Sequence, residues 1–146
     1  MAEKTAKTPF QLFPEFQVTL AGGPVRRDAL SGNALVPFCA DITKALSSFA
    51  TAFPKDQHWR YRRLIGQHLE EWRSLADAKT LPYFEAKPLS DSLYSHGLLE
   101  VCPDLPWLER WYRQAKTKTE RFTPREYSNT IQAHGHDKNA PGPAMA

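Results

Sequence analysis

Apolar residues recur along most of this chain at helical spacing. From Asn33 onward, Leu35, Phe38, Cys39, Ile42, Leu46, Phe49 and Phe53 follow the three-and-four interval of one helix face. Asp41, Lys44, Ser47 and Ser48 fall on the opposite side, Asn33 suits an N-cap and Pro54 ends the run. A second helix is expected over 56–78, its stripe made by Tyr61, Leu64, Ile65, His68, Leu69, Trp72, Leu75 and Ala76. Asp56 at its start suits the helix dipole. A third begins at Asp104 or Leu105, where Pro106 takes the favoured first turn. It runs along Trp107, Leu108, Trp111, Ala115 and Phe122 until Thr123 and Pro124 break it. A short helix within 88–99, stopped near Gly97, makes a possible fourth.

The N-terminal stretch has a different period. Phe16, Val18 and Leu20 alternate with Gln17 and Thr19, and Gly22, Gly23 and Pro24 follow as breakers. This predicts an extended arm or a short strand. Its weak pairing candidate is Leu81 to Phe84, where Pro82 argues against a central strand. The expected fold is therefore mostly α: one small domain over 10–130, three to four amphipathic helices and an extended N-terminal arm. Residues 1–9 and 131–146 have little to bury and are expected to form flexible tails.

Composition narrows the function classes. The chain has 146 residues, enough for one core but hardly two. No run approaches the roughly 20 apolar residues of a membrane span, and the N-terminus lacks a secretory signal. Cys39 and Cys102 make neither a disulfide framework nor a metal-ligand pair. A cytoplasmic protein without membrane insertion is expected. No glycine-rich phosphate loop, dinucleotide fingerprint or nucleophile elbow occurs. His134, His136 and Asp137 resemble a fragment of a metal motif, but no further histidine follows to complete it. Cys102 and His96 are six residues apart, which matches no known nucleophile–base spacing. No metal, no cofactor and no catalytic residue is assigned, and the chain is read as a non-enzymatic protein.

Charge patterning sharpens the alternative. The net charge of +3 hides two basic segments around an acidic one. Over 109–126 six basic side chains face three acidic ones, whereas 77–104 has two against five. Lys55 to Arg63 packs four cations and two aromatics into nine residues. On a helix of about 100° per residue, Trp59 projects about 120° away from Ile65, off the apolar stripe that holds Trp72. Trp and Arg dominate protein-interface hot spots, and the same pair can stack on a base and hold phosphates. The expected binding residues are Trp59, Arg60, Arg62, Arg63, Arg110, Arg113 and Arg121. A protein partner ranks above nucleic acid because the net charge is modest, and a role as subunit of a larger assembly ranks third. Oligomeric state is not legible at this level.

Overall fold

The computed structural model describes residues 7–118 and is mostly helical. Within them lie five α-helices: α1 (Pro9–Asp28), α2 (Leu35–Ala52), α3 (Arg62–Leu75), α4 (Ala86–Leu98) and α5 (Leu105–Thr117). Short 3-10 turns at Gly32–Ala34, Lys55–Gln57 and Leu81–Tyr83 connect them. No strand occurs among the described residues. Most of the two stretches read as tails lies outside those residues, although Pro9 already belongs to α1.

The N-terminal arm is corrected to a full helix. Pro9, Leu12, Phe13, Phe16, Leu20 and Gly23 are its buried residues, at helical rather than alternating intervals. The period-two pattern misleads because α1 is apolar on two sides: Phe10, Val18 and Val25 stand exposed on the outer one. The expected breakers lie inside the helix. An added Cβ at Gly23 would come within 2.5 Å of Leu75 Cδ1, so the glycine lets α1 approach α3 closely. The start carries a signal the alternation obscured. Pro9 occupies the first turn, and the Gln11 side chain accepts from the Thr8 backbone N–H at 2.9 Å, one arm of a capping box.

Helix α2 buries the whole predicted stripe from Leu35 to Phe49, with Phe53 just beyond its end. Its cap differs: Asn33 lies in the preceding 3-10 turn, and Ala34 is the N-cap. Phe16 of α1 stacks on Phe49 at 4.6 Å, and Phe13 meets Phe49 and Phe53 at 5.5 Å each. Helix α4 also packs on α2, and α5 closes the far side. The core tryptophans hold these elements in register. Trp72 donates its indole N–H to Ile42 O, Trp107 to Ala76 O and Trp111 to Leu89 O, at 2.8–2.9 Å. A buried indole left without an acceptor would cost about 1–3 kcal/mol, so these bonds make large aromatic area burial tolerable.

Several details depart from the sequence expectation, among them the end of α3 at Leu75 rather than 78. Helix α3 starts at Arg62 rather than 56, because residues 55–61 form a 3-10 turn and further turns that bury His58 against Phe53. Leu81–Tyr83 is a 3-10 turn with Pro82 near its start, not a strand. Helix α4 stops after Leu98, next to the expected stop near Gly97, but begins at Ala86, two residues before the expected start. Its end has the bond pattern of a Schellman motif: Glu100 N–H to Gly97 O and Val101 N–H to His96 O. Glu100 occupies the left-handed position at φ 57°, where glycine is usual. Helix α5 follows expectation at its start, with the Asp104 carboxylate accepting from Trp107 N–H at 3.2 Å.

Candidate binding surface

Trp59 stands on the turn between α2 and α3 rather than on a helix, and is 76% exposed. Trp72, Trp107 and Trp111 are all buried, so Trp59 is the exception among the four. Arg60 adjoins it on the turn, and Arg62 and Arg63 open α3, all three exposed. The turn rests on His58, which packs against Phe53 and brings Nδ1 to 3.4 Å from Glu100 Oε2. His58 Nε2 is buried without a hydrogen-bond partner among the described residues. Tyr61, half-buried, sits between Phe13 and Phe53 and fixes the other end of the turn. An exposed indole and three guanidinium groups are thus carried on a base anchored in the core.

The eight arginines among the described residues fall into two groups. Arg26 pairs with Asp41, Arg27 with Asp28 and Asp77, and Arg73 with Asp104. Arg60, Arg62, Arg63, Arg110 and Arg113 form no ion pair with a described residue. Of the acidic middle segment, Asp77, Asp91 and Asp104 meet Arg27, Lys87 and Arg73, and Glu100 faces His58 beneath the turn. Among the described residues none of these carboxylates pairs with Arg60, Arg62 or Arg63.

The expected residues do not form one surface. Arg110 and Arg113 border a shallow cleft of about 230 Å³ with Ala78, Leu81, Pro82 and Gln114. Ala78 lies beyond the C-terminal end of α3, whereas Arg62 starts that helix. At 1.5 Å per residue, the length of α3 puts roughly 20 Å between the two groups. Arg121 lies outside the described residues.

Among the described residues the histidines, cysteines and serines assemble no catalytic or metal site. His96 is fully buried between Trp72 and Trp107. Its Nδ1 donates to Ser92 O at 2.8 Å, and its Nε2 accepts from Arg73 Nη1 at 3.0 Å. Burial, then the Arg73 charge, hold its pKa down at about 3. With both nitrogens engaged it offers no base to Cys102. Ser92 is likewise tied into the core, donating to Leu89 O and accepting from Trp111 Nε1. Cys39 is buried with its thiol directed at Thr80 O, and burial pushes its pKa up to about 12. Among the described residues no group of three His, Cys, Asp or Glu side chains is placed to hold a metal, and no helix is long and apolar enough to cross a membrane. His134, His136 and Asp137 lie outside those residues.

Comparison of the chain with protein-family models, with curated proteins and with solved structures finds no match.

Proposed function

We propose that this chain is a non-enzymatic interaction protein that docks a protein partner on the turn carrying Trp59, Arg60, Arg62 and Arg63. The observation that carries this reading is the 76% exposure of Trp59 beside three arginines that form no ion pair with a described residue. A solvated indole keeps apolar area in water that the fold itself could have buried, as it does for the other three. Trp and Arg together supply what an interface core needs, a large rigid anchor and bidentate donors for carboxylates or carbonyls. The partner surface is therefore expected to offer an apolar pocket rimmed by acidic groups. Arg110 and Arg113 form a separate contact for the same or another partner. A cytoplasmic setting fits the two cysteines, which stand as thiols.

Charge reversal separates the two surfaces. Arg62→Glu with Arg63→Glu abolishes partner capture, while helical content and melting temperature stay unchanged. Arg110→Glu with Arg113→Glu has a smaller effect. Salt distinguishes the class of partner. Binding anchored by Trp59 weakens only modestly between low and physiological salt, whereas contacts to several phosphates weaken it steeply and linearly on logarithmic axes. Full retention of the partner by the Arg62/Arg63 variant, or a steep salt slope that nuclease treatment removes, overturns the protein-docking reading.

A further inference from the structure

Helix α1 has an outer face that no other described residue covers. Between Lys7 and Arg26 the sequence holds one charged residue, Glu15. Phe10, Pro14, Val18, Ala21 and Val25 lie in the exposed class, with Phe10, Val18 and Val25 at 80%, 75% and 78%. Their spacing of four, four, three and four keeps all five on one side of the helix, within an arc of about 80°. The stripe runs about 22 Å along the helix, opposite the face that buries Phe13, Phe16 and Leu20. The glutamines beside it, Gln11 and Gln17, bring no charge.

We infer that this face pairs antiparallel with the same face of a second copy of the chain. The registers match in that orientation. Phe10 meets Val25 of the second copy, and Pro14 meets the small Ala21, bulk against space. Val18 lies within one residue of the twofold axis. The same register sets Lys7 opposite Asp28 of the second copy at both ends. Both side chains stay exposed, at 52% and 68%, while pairing within their own chain with Glu15 and Arg27, so the second copy adds a further opposite charge to each pair. A parallel arrangement would instead set Lys7 against Lys7 and Asp28 against Asp28. Phe10, Val18 and Val25 leave roughly 400 Å² of apolar surface in water, the size of the largest and often functional patch on a small protein. That is about half of the ~800 Å² per partner of a standard interface, which suits a modest homodimer. A lipid surface is the poorer occupant, because membrane-lying helices are rich in lysine and arginine, whereas Arg26 and Arg27 are tied to Asp41 and Asp77. The face shares no residue with the Trp59 turn, so the two readings stand or fall separately.

Sedimentation equilibrium of the full chain over ~1–100 µM tests this, since that window spans the affinities expected of a modest homodimer. The expected mass is twice 16.6 kDa at the upper end. Val18→Asp, which sets two carboxylates near the axis, returns the monomer mass with the helical circular dichroism unchanged. Lys7→Glu weakens the dimer several-fold, and adding Asp28→Lys restores it. Should Val18→Asp fail to fold, Val18→Cys in a Cys102→Ser background decides, because oxidation then links the two copies through residue 18. A monomer mass throughout the range overturns the inference. So does a dimer that survives Val18→Asp and gives no Val18→Cys cross-link.

Discussion

Arg73 donates from Nη1 to Nε2 of His96 at 3.0 Å, joining α3 to α4 inside an aromatic layer where the imidazole stacks on Trp107. The bond requires a neutral ring, because a protonated imidazole has no acceptor to offer a guanidinium. Arg73, itself held below its usual pKa chiefly by burial, is tied at Nε to Asp104, the cap of α5. One side chain thus couples three helices.

This geometry gives stability a pH dependence. The unfolded chain takes up a proton on His96 near the usual value of about 6.5, whereas the folded chain resists it down to about 3. The contribution of neutral His96 is fully present above that unfolded value and is lost as pH falls through the window between the two. The slope is ~1.4 kcal/mol per pH unit, so about 2 kcal/mol disappears between pH 6.5 and 5. Urea unfolding of wild type and His96→Gln across this range measures it: the two stabilities converge as the pH falls. Parallel curves would show that His96 is not the buried neutral group described.

Adjacent glycines in α1 should respond with opposite signs. Gly23→Ala drives a methyl into the side chain of Leu75, which is 1% exposed and must repack within the core, and should cost about 1–3 kcal/mol. Gly22→Ala meets open space and should gain about 0.5–1 kcal/mol from helix propensity. Thermal melts at dilute concentration, where association does not contribute, check the pair.

Glu100 trades backbone comfort for a carboxylate beneath the Trp59 turn. Its left-handed conformation costs about 1–2 kcal/mol, which glycine would relieve. Glu100→Gly should therefore raise the melting temperature or leave it unchanged, despite loss of the His58 contact. Partner affinity should fall, because the turn loses a support. A variant that is both markedly less stable and fully active in binding would contradict this assignment.

The two cysteines should label at very different rates. Cys39 is buried, directed at a backbone carbonyl and difficult to ionise, whereas Cys102 is exposed. A thiol reagent at neutral pH should modify one equivalent quickly in the native protein and the second only with unfolding. Cys102→Ser should abolish the fast phase.

Much of this architecture was legible where one face alone is apolar. The Leu35–Phe53 stripe reads cleanly because its opposite side is polar, and the start of α5 reads cleanly from Asp104 and Pro106. Helix α1 does not, because Phe10, Val18 and Val25 outside confuse the period set by Leu12, Phe16 and Leu20 inside. The end of α4 reads to within a residue from Gly97, but its cap is hidden: glycine usually takes the left-handed position, and here Glu100 takes it while Gly97 is helical. Trp59 stood out because it lies off the stripe that buries Trp72, even though it proved to sit on a turn. What spacing could not reveal was which arginines are neutralised. Arg27 meets Asp77 across 50 residues and Arg73 meets Asp104 across 31, and only the tertiary fold brings such partners together. For the same reason the separation of Arg110 and Arg113 from the Trp59 turn was invisible.

The most direct measurement compares wild type with Trp59→Ala in affinity capture from nuclease-treated lysate of the native host. Truncating an exposed side chain leaves the fold intact, so both proteins should show the same melting temperature. Wild type should retain a specific protein that Trp59→Ala loses, as expected for a hot-spot anchor whose removal costs at least about 2 kcal/mol of binding energy. Equal retention by the two proteins, or capture that depends on intact nucleic acid, would contradict the account.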